Sequence, residues 1–158
     1  MRTTRVRPIT LAVAFVLAMG TVASPVARAQ AAGPGTPPIA VAVGDASAIR
    51  IVVEAQLKAF AADDAGAAFA QAAPSIRSMF GTAEQFMAMV RAGYPVVYRP
   101  ASVLFLAPVQ VQGQTVQGVQ MTDAGGALWL AVYSLERQPG GGWKISGCNV
   151  QPQSGRMT

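Results

Sequence analysis

Histidine is missing from this 158-residue sequence, and cysteine occurs once. Without an imidazole, neither a Ser-His-Asp nor a Cys-His nucleophile can be assembled, and an ordinary histidine-ligated zinc site has no ligands. A lone thiol, Cys148, excludes an internal disulfide, a Cys-x-x-Cys redox pair and a thiolate cluster. Acids are also scarce. Seven Asp and Glu residues are spread along the chain with no calcium-type loop among them, so no metal is expected. Pro139-Gly-Gly-Gly142 is glycine-rich but lacks the following helix and Lys-Ser/Thr of a phosphate-cradling loop, and it reads as a hairpin turn. No cofactor is therefore expected. The length suits one domain large enough to bury a core.

Most of the net positive charge belongs to the start of the chain. Arg2, Arg5 and Arg7 precede an almost wholly apolar run from Ile9 to Met19, and small residues lead to Ala27-Arg28-Ala29. This is the three-part layout of a secretory signal peptide, with cleavage expected between Ala29 and Gln30. The apolar run falls short of the roughly 18–20 residues a spanning helix needs, so cleavage is preferred to a stable membrane anchor. The expected location is the periplasm or the outside of the cell, by the general secretion route. Removing residues 1–29 takes four of the twelve basic residues (Arg2, Arg5, Arg7, Arg28) and none of the acids. The remaining Lys and Arg are scattered, with no run that could track a phosphate backbone, and nucleic acid is set aside as a partner.

Residues 30–46 are rich in Ala, Pro and Gly and read as a flexible leader, with room for a short extended piece at Ile39 to Val43. A single domain is expected over 47–151, followed by a tail at 152–158. From Ser47 to Ala62, Ile49, Val52, Val53, Leu57 and Phe60 recur at helical spacing, and Gln56 falls on the apolar side, where a buried amide must find partners. Asp63-Asp64 interrupts this helix. The pair reads as an N-cap for a short helix carrying Phe69 rather than as an acid pair, because successive helical residues diverge by about 100°. Pro74 starts a further turn that Gly81 closes. Thr82-Ala-Glu-Gln85 has the capping-box pattern and opens a helix burying Phe86, Met89 and Val90. Tyr94 to Pro100, holding two prolines, is expected to be extended or turning.

Everything after Ala101 reads as antiparallel sheet: strands at Ser102–Ala107, Gln114–Thr122, Leu128–Gln138 and Trp143–Val150, separated by glycine-containing turns. The third is apolar on both faces, so one face is expected to meet the helices and the other a partner or second layer. In the fourth, strict alternation puts Trp143 and Ile145 on one face and Cys148 and Val150 on the other. The fold class is therefore α+β: three N-terminal helices packed on a curved four-stranded antiparallel sheet, an order of elements similar to the cone-shaped nuclear-transport-factor-2-like or cystatin-like architecture.

The run Gln56-Leu-Lys-Ala-Phe60-Ala-Ala-Asp63-Asp64, then Ala68-Phe69, Ala73-Pro74-Ser-Ile76, Phe80-Gly81-Thr82, Phe86, Met89-Val90 and Gly93-Tyr94-Pro95, carries a more specific resemblance. With Tyr98-Arg99-Pro100, Tyr133-x-Leu135-Glu136 and Gly142-Trp143-x-Ile145-x-Gly147-Cys148, it resembles the bacterial family catalogued as domain of unknown function 4864, over about Ala48 to Val150. The resemblance implies an exported protein of Gram-negative bacteria and brings no activity or catalytic residue with it.

Three functions are open to such a chain. A cone-shaped fold can enclose an apolar pocket, which Gln56, Tyr94, Tyr98, Trp129 and Tyr133 would line around a small apolar ligand. The two-sided third strand would alternatively serve a structural or interaction role, with a homodimer formed through the sheet. The third is a lyase- or isomerase-like enzyme using a carboxylate and tyrosines. None of the acids falls on an apolar face, where a raised pKa would be expected, so no catalytic residue is assigned.

Overall fold

Apolar spacing sets where the main helix packs. A computed structural model describes residues 37–153, and the expected signal peptide with its Ala29–Gln30 junction lies outside them. After a two-residue strand β1 (Ile39–Ala40), helix α1 (Val43–Ala61) buries Ile49, Val53, Gln56, Leu57 and Phe60 in one stripe. It begins four residues ahead of the predicted Ser47. Asp45 occupies its first turn and pairs with Arg137.

Helices α2 (Ala65–Ala70), α3 (Pro74–Phe80) and α4 (Ala83–Gly93) follow. Asp64 caps α2 as expected, its Oδ1 accepting from Ala67 N at 2.9 Å. Asp63 does not cap. It takes a left-handed backbone (φ 59°) and turns its carboxylate toward Arg91 and Arg99. Thr82 caps α4 through Gln85 N (3.2 Å), while its own amide goes to Phe80 O across a tight turn at Gly81. The segment after Tyr94 departs from expectation. Pro95–Tyr98 forms a one-turn helix, α5, because a proline at the first helical position has no amide to lose.

The sheet contains β2 (Ser102–Phe105), β3 (Val109–Val111), β4 (Gln114–Thr122), β5 (Leu128–Arg137) and β6 (Trp143–Pro152), all antiparallel, with β1 added beside β3. The described residues thus hold five helical segments and six strands, rather than three helices and four strands. Much of the difference comes from short pieces. β2 and β3 both pair with β4 and are two parts of one interrupted strand, broken around Leu106 to Pro108, where proline cannot donate to a ladder. Gln117, buried in β4, clamps the break by donating to Leu106 O (2.6 Å) and Gly118 O (2.8 Å). Gly118 leaves room for Leu106 to lie across it, since a Cβ there would come within 3.0 Å of Leu106 Cδ1.

β6 also departs from simple alternation. Leu135 pairs with Ile145 but Ser134 pairs with Gly147, so Ser146 is an extra, bulged residue. The bulge resets the pleat. Cys148 lies opposite Tyr133 and Val150 opposite Ala131, on the face that Trp143 and Ile145 already occupy. Cys148 and Val150 therefore share the inner face with Trp143 and Ile145 rather than lying on the opposite one as predicted. The outer edge of β6 is closed by the corner between α2 and α3, through Ile145 N to Gln71 O (2.9 Å) and Ala73 N to Ile145 O (2.8 Å). The core lies between the helices and the inner face of the sheet, where Val119, Met121, Ala131, Tyr133 and Leu135 are buried.

Candidate functional site

The inner face of β5 and β6 does not meet the helices everywhere. Opposite Tyr133, Ile145 and Cys148 it leaves a cavity of about 250 Å³, walled by α1 (Gln56, Phe60), α3 (Ile76, Met79, Phe80), α4 (Phe86, Met89, Val90) and the residues Tyr94 and Val97. Its rigid side is an aromatic cluster centred on Phe86, which stands 6.0 Å from Phe60, 5.5 Å from Phe69 and 5.5 Å edge-on from Phe80, centroid to centroid. Its thin side is α3, which has no fully buried residue and leaves Met79 72% exposed.

Gln56, Tyr94 and Tyr133 interrupt this apolar lining with polar groups, and of these Gln56 and Tyr133 are buried. Gln56 is 3% exposed and its Nε2 donates to Ala68 O at 3.3 Å, a long bond to a carbonyl that also accepts from Gln71 N. Tyr133 is completely buried and its hydroxyl has no hydrogen-bond partner among the described residues. Its cross-strand neighbour Cys148 offers only a thiol, a weak hydrogen-bonding group. Burial, and secondarily the thiol beside it, raise the Tyr133 phenol well above its ordinary pKa. Burial likewise pushes the Cys148 thiol up to about 12, against a smaller lowering effect from Tyr133. Both groups are protonated at neutral pH, so Cys148 is a wall rather than a nucleophile. Among the described residues no Asp, Glu, Lys or Arg lines the cavity.

The five residues expected to share a pocket are divided. Gln56, Tyr94 and Tyr133 come together in this cavity. Trp129 lines a second hollow of about 550 Å³ between the start of α5 and the β4–β5 turn, and Tyr94 belongs to both walls. There the Trp129 indole donates to Asp123 Oδ2 at 2.8 Å, and the Gly125 and Ala127 amides each donate to Asp123 Oδ1 at 2.9 Å. The indole bond, then the Ala127 amide, hold the Asp123 carboxyl below its ordinary range. This arrangement closes the turn and ties up the Asp123 carboxylate.

Tyr98 lines neither hollow. It hydrogen-bonds Asp63, which also accepts from Arg91 and Arg99, each at 2.8 Å, in an exposed cluster joining the end of α1 to α4 and α5. The bond from Tyr98, then that from Arg91, hold Asp63 below the ordinary carboxylate range. Sequence spacing missed the contribution of Ile76, Met79 and Phe80, because a seven-residue helix shows too few turns for its apolar stripe to be assigned a side. It missed Cys148 because an inserted residue is invisible to alternation. Among the described residues no three of His, Cys, Asp and Glu gather as a metal site, and no helix is long and apolar enough to cross a membrane.

A family model described as domain of unknown function (DUF4864) matches residues 42–158. No curated protein and no solved structure matches the chain.

Proposed function

The chain belongs to this family of unknown function (DUF4864), and from that premise we propose that it is a non-catalytic binding module holding one small, mostly apolar molecule between α1, α3, α4 and the sheet. One observation carries the proposal: an apolar cavity beneath a thinly packed helix, with Gln56 and Tyr133 as its buried polar groups. Apolar walls with a few placed polar atoms are the usual construction of small-molecule sites, and about 250 Å³ lies just under the common range of roughly 300–1,000 Å³. The occupant is accordingly about the size of one substituted ring or a short chain. The proposal includes export, supported by the Arg-rich start, the apolar run and the Ala27-Arg28-Ala29 junction. It also includes a cone-like, nuclear-transport-factor-2-like or cystatin-like enclosure, supported by helices on one face of an antiparallel sheet.

Native mass spectrometry of the protein from the organism that makes it, beside a denatured control, tests these points together. The expected result is an N-terminus at Gln30 and a reproducible added mass that vanishes on denaturation. Ala72→Leu, which fills the cavity from a buried wall position, is expected to abolish the adduct. Absence of any adduct, or its persistence in Ala72→Leu, would overturn the binding proposal.

The outer face of the sheet favours a second reading, self-association. Leu104, Leu106 and Leu128 are exposed there beside Leu130 and Val132, and their neighbours Ser102, Gln120, Thr122, Asn149 and Gln151 are uncharged. A second copy laid on the patch around Leu104, Leu128 and Leu130 would bury apolar area, with Glu136 and Lys144 lying further along the same face. Sedimentation is expected to show a dimer that Leu130→Glu dissociates, whereas a monomeric parent protein would refute it.

A further inference from the structure

The unpartnered hydroxyl of Tyr133 narrows what the cavity can hold. Resting on the binding proposal above, we propose that the occupant is electrically neutral and carries a hydrogen-bond acceptor that takes the proton of Tyr133 Oη. A ketone, an ester or an ether oxygen on a compact apolar body has the required chemistry.

Three features combine here. Tyr133 is completely buried, and among the described residues its Oη–H has no oxygen or nitrogen partner, only the weakly accepting Cys148 thiol beside it, and no access to bulk water. An unmet buried donor is costly, whereas a hydrocarbon side chain of the same shape is not, so an acceptor brought in by a ligand gains at this point. Gln56 does not meet the need, because its amide nitrogen is directed at Ala68 O. The cavity wall also offers no cation. Among the described residues neither Lys nor Arg lines it, so a carboxylate or phosphate would shed its hydration with no positive charge to replace it. A cation would find no Asp or Glu for the same reason. Finally, burial keeps both the phenol and the Cys148 thiol protonated, so Oη acts as a donor and cannot serve as a fixed anion.

Three probes of nearly one shape separate the alternatives: acetophenone (an acceptor), ethylbenzene (none) and benzoate (a charge). Each is titrated into the full chain and into Tyr133→Phe by calorimetry. Acetophenone is expected to bind about tenfold more tightly than ethylbenzene, and benzoate more weakly than either. In Tyr133→Phe the ratio of acetophenone to ethylbenzene is expected to fall within about twofold, with ethylbenzene bound as well as before. That retained binding shows the variant to be folded with its cavity intact. Equal binding of the two neutral probes to the parent protein would overturn the inference, as would a ratio that survives Tyr133→Phe or a preference for benzoate. If none of the probes binds while the native adduct is present, this inference fails and the binding proposal stands. If the adduct is absent as well, both fail.

Discussion

Gln56 is buried at the price of an amide, yet what it gains is slight. Its one bond is 3.3 Å long and reaches a carbonyl that Gln71 N already satisfies at 3.2 Å. Removing it orphans no backbone group, and an apolar side chain of similar size would suit the surrounding wall. Gln56→Leu is therefore expected to change unfolding stability by less than about 0.5 kcal/mol, or to raise it, as read from urea midpoints at unchanged slope. A loss greater than about 1.5 kcal/mol would mark the amide as a structural tie between α1 and α2 and remove it from the site.

Asp63 presents the opposite case, an exposed carboxylate with well-defined partners. Tyr98 and Arg91 lower its folded pKa, so its contribution is complete above the unfolded value near 3.9 and is lost as pH falls through the lower folded value. Asp63→Asn is expected to lower stability at neutral pH and to flatten its decline below about pH 4, measured by thermal unfolding across pH. Asn tolerates the left-handed backbone at this position, so the comparison isolates charge from backbone strain. An unchanged acid limb would show that the cluster adds nothing. At this scale the sequence was informative about which side chains are unusual and less so about where they point. Gln56 and Tyr133 were recognisable from an apolar stripe and a strand face, whereas Tyr98 was misplaced because α5 turns its ring toward Asp63.

Among the elements, α3 stands apart. α1 and β5 each bury several side chains, but α3 buries none completely, and its first-turn anchor is the Ala73 amide on β6. Amides of α3 are expected to exchange with deuterium ahead of those in α1 and β5, and an occupant in the cavity should slow them selectively. Gly81 ends this helix in a γ-turn of the rarer hand, with φ 73° and ψ −50°. A Cβ there would meet nothing closer than Gln85 Oε1 at 3.6 Å, so Gly81→Ala tests backbone strain alone. It is expected to cost about 1–3 kcal/mol in chemical denaturation. A neutral result would mean that the turn relaxes without loss. The long, periodic or strictly alternating elements were legible in advance: α1, α4, β4 and β5 appear nearly where spacing put them. Among the short ones α5 and β3 were not, since each offers less than a full period of pattern and depends on tertiary packing for its existence, whereas β1 falls within the short extended piece expected at Ile39 to Val43.

At the scale of the molecule, the helices and the sheet are joined through β6, which supplies part of the cavity wall and closes its own edge on the α2–α3 corner. The match over residues 42–158 spans all of the helices and strands from α1 onward. The side of the sheet on which the thiol lies is decided by the bulge at Ser146, because two regularly alternating residues between Ile145 and Cys148 would put those two on opposite faces. Deleting Ser146 is expected to turn Ile145-Gly147-Cys148 into plain alternation, which keeps Cys148 opposite Tyr133 and its thiol buried. In air, non-reducing electrophoresis should then show single chains for the variant as for the parent protein. Chains of the variant cross-linked in pairs would mean that the strand shifts its register instead of closing up the bulge. A one-residue irregularity in a strand thus acts as insulation, keeping the sole sulfhydryl of the chain from becoming a covalent link between two molecules.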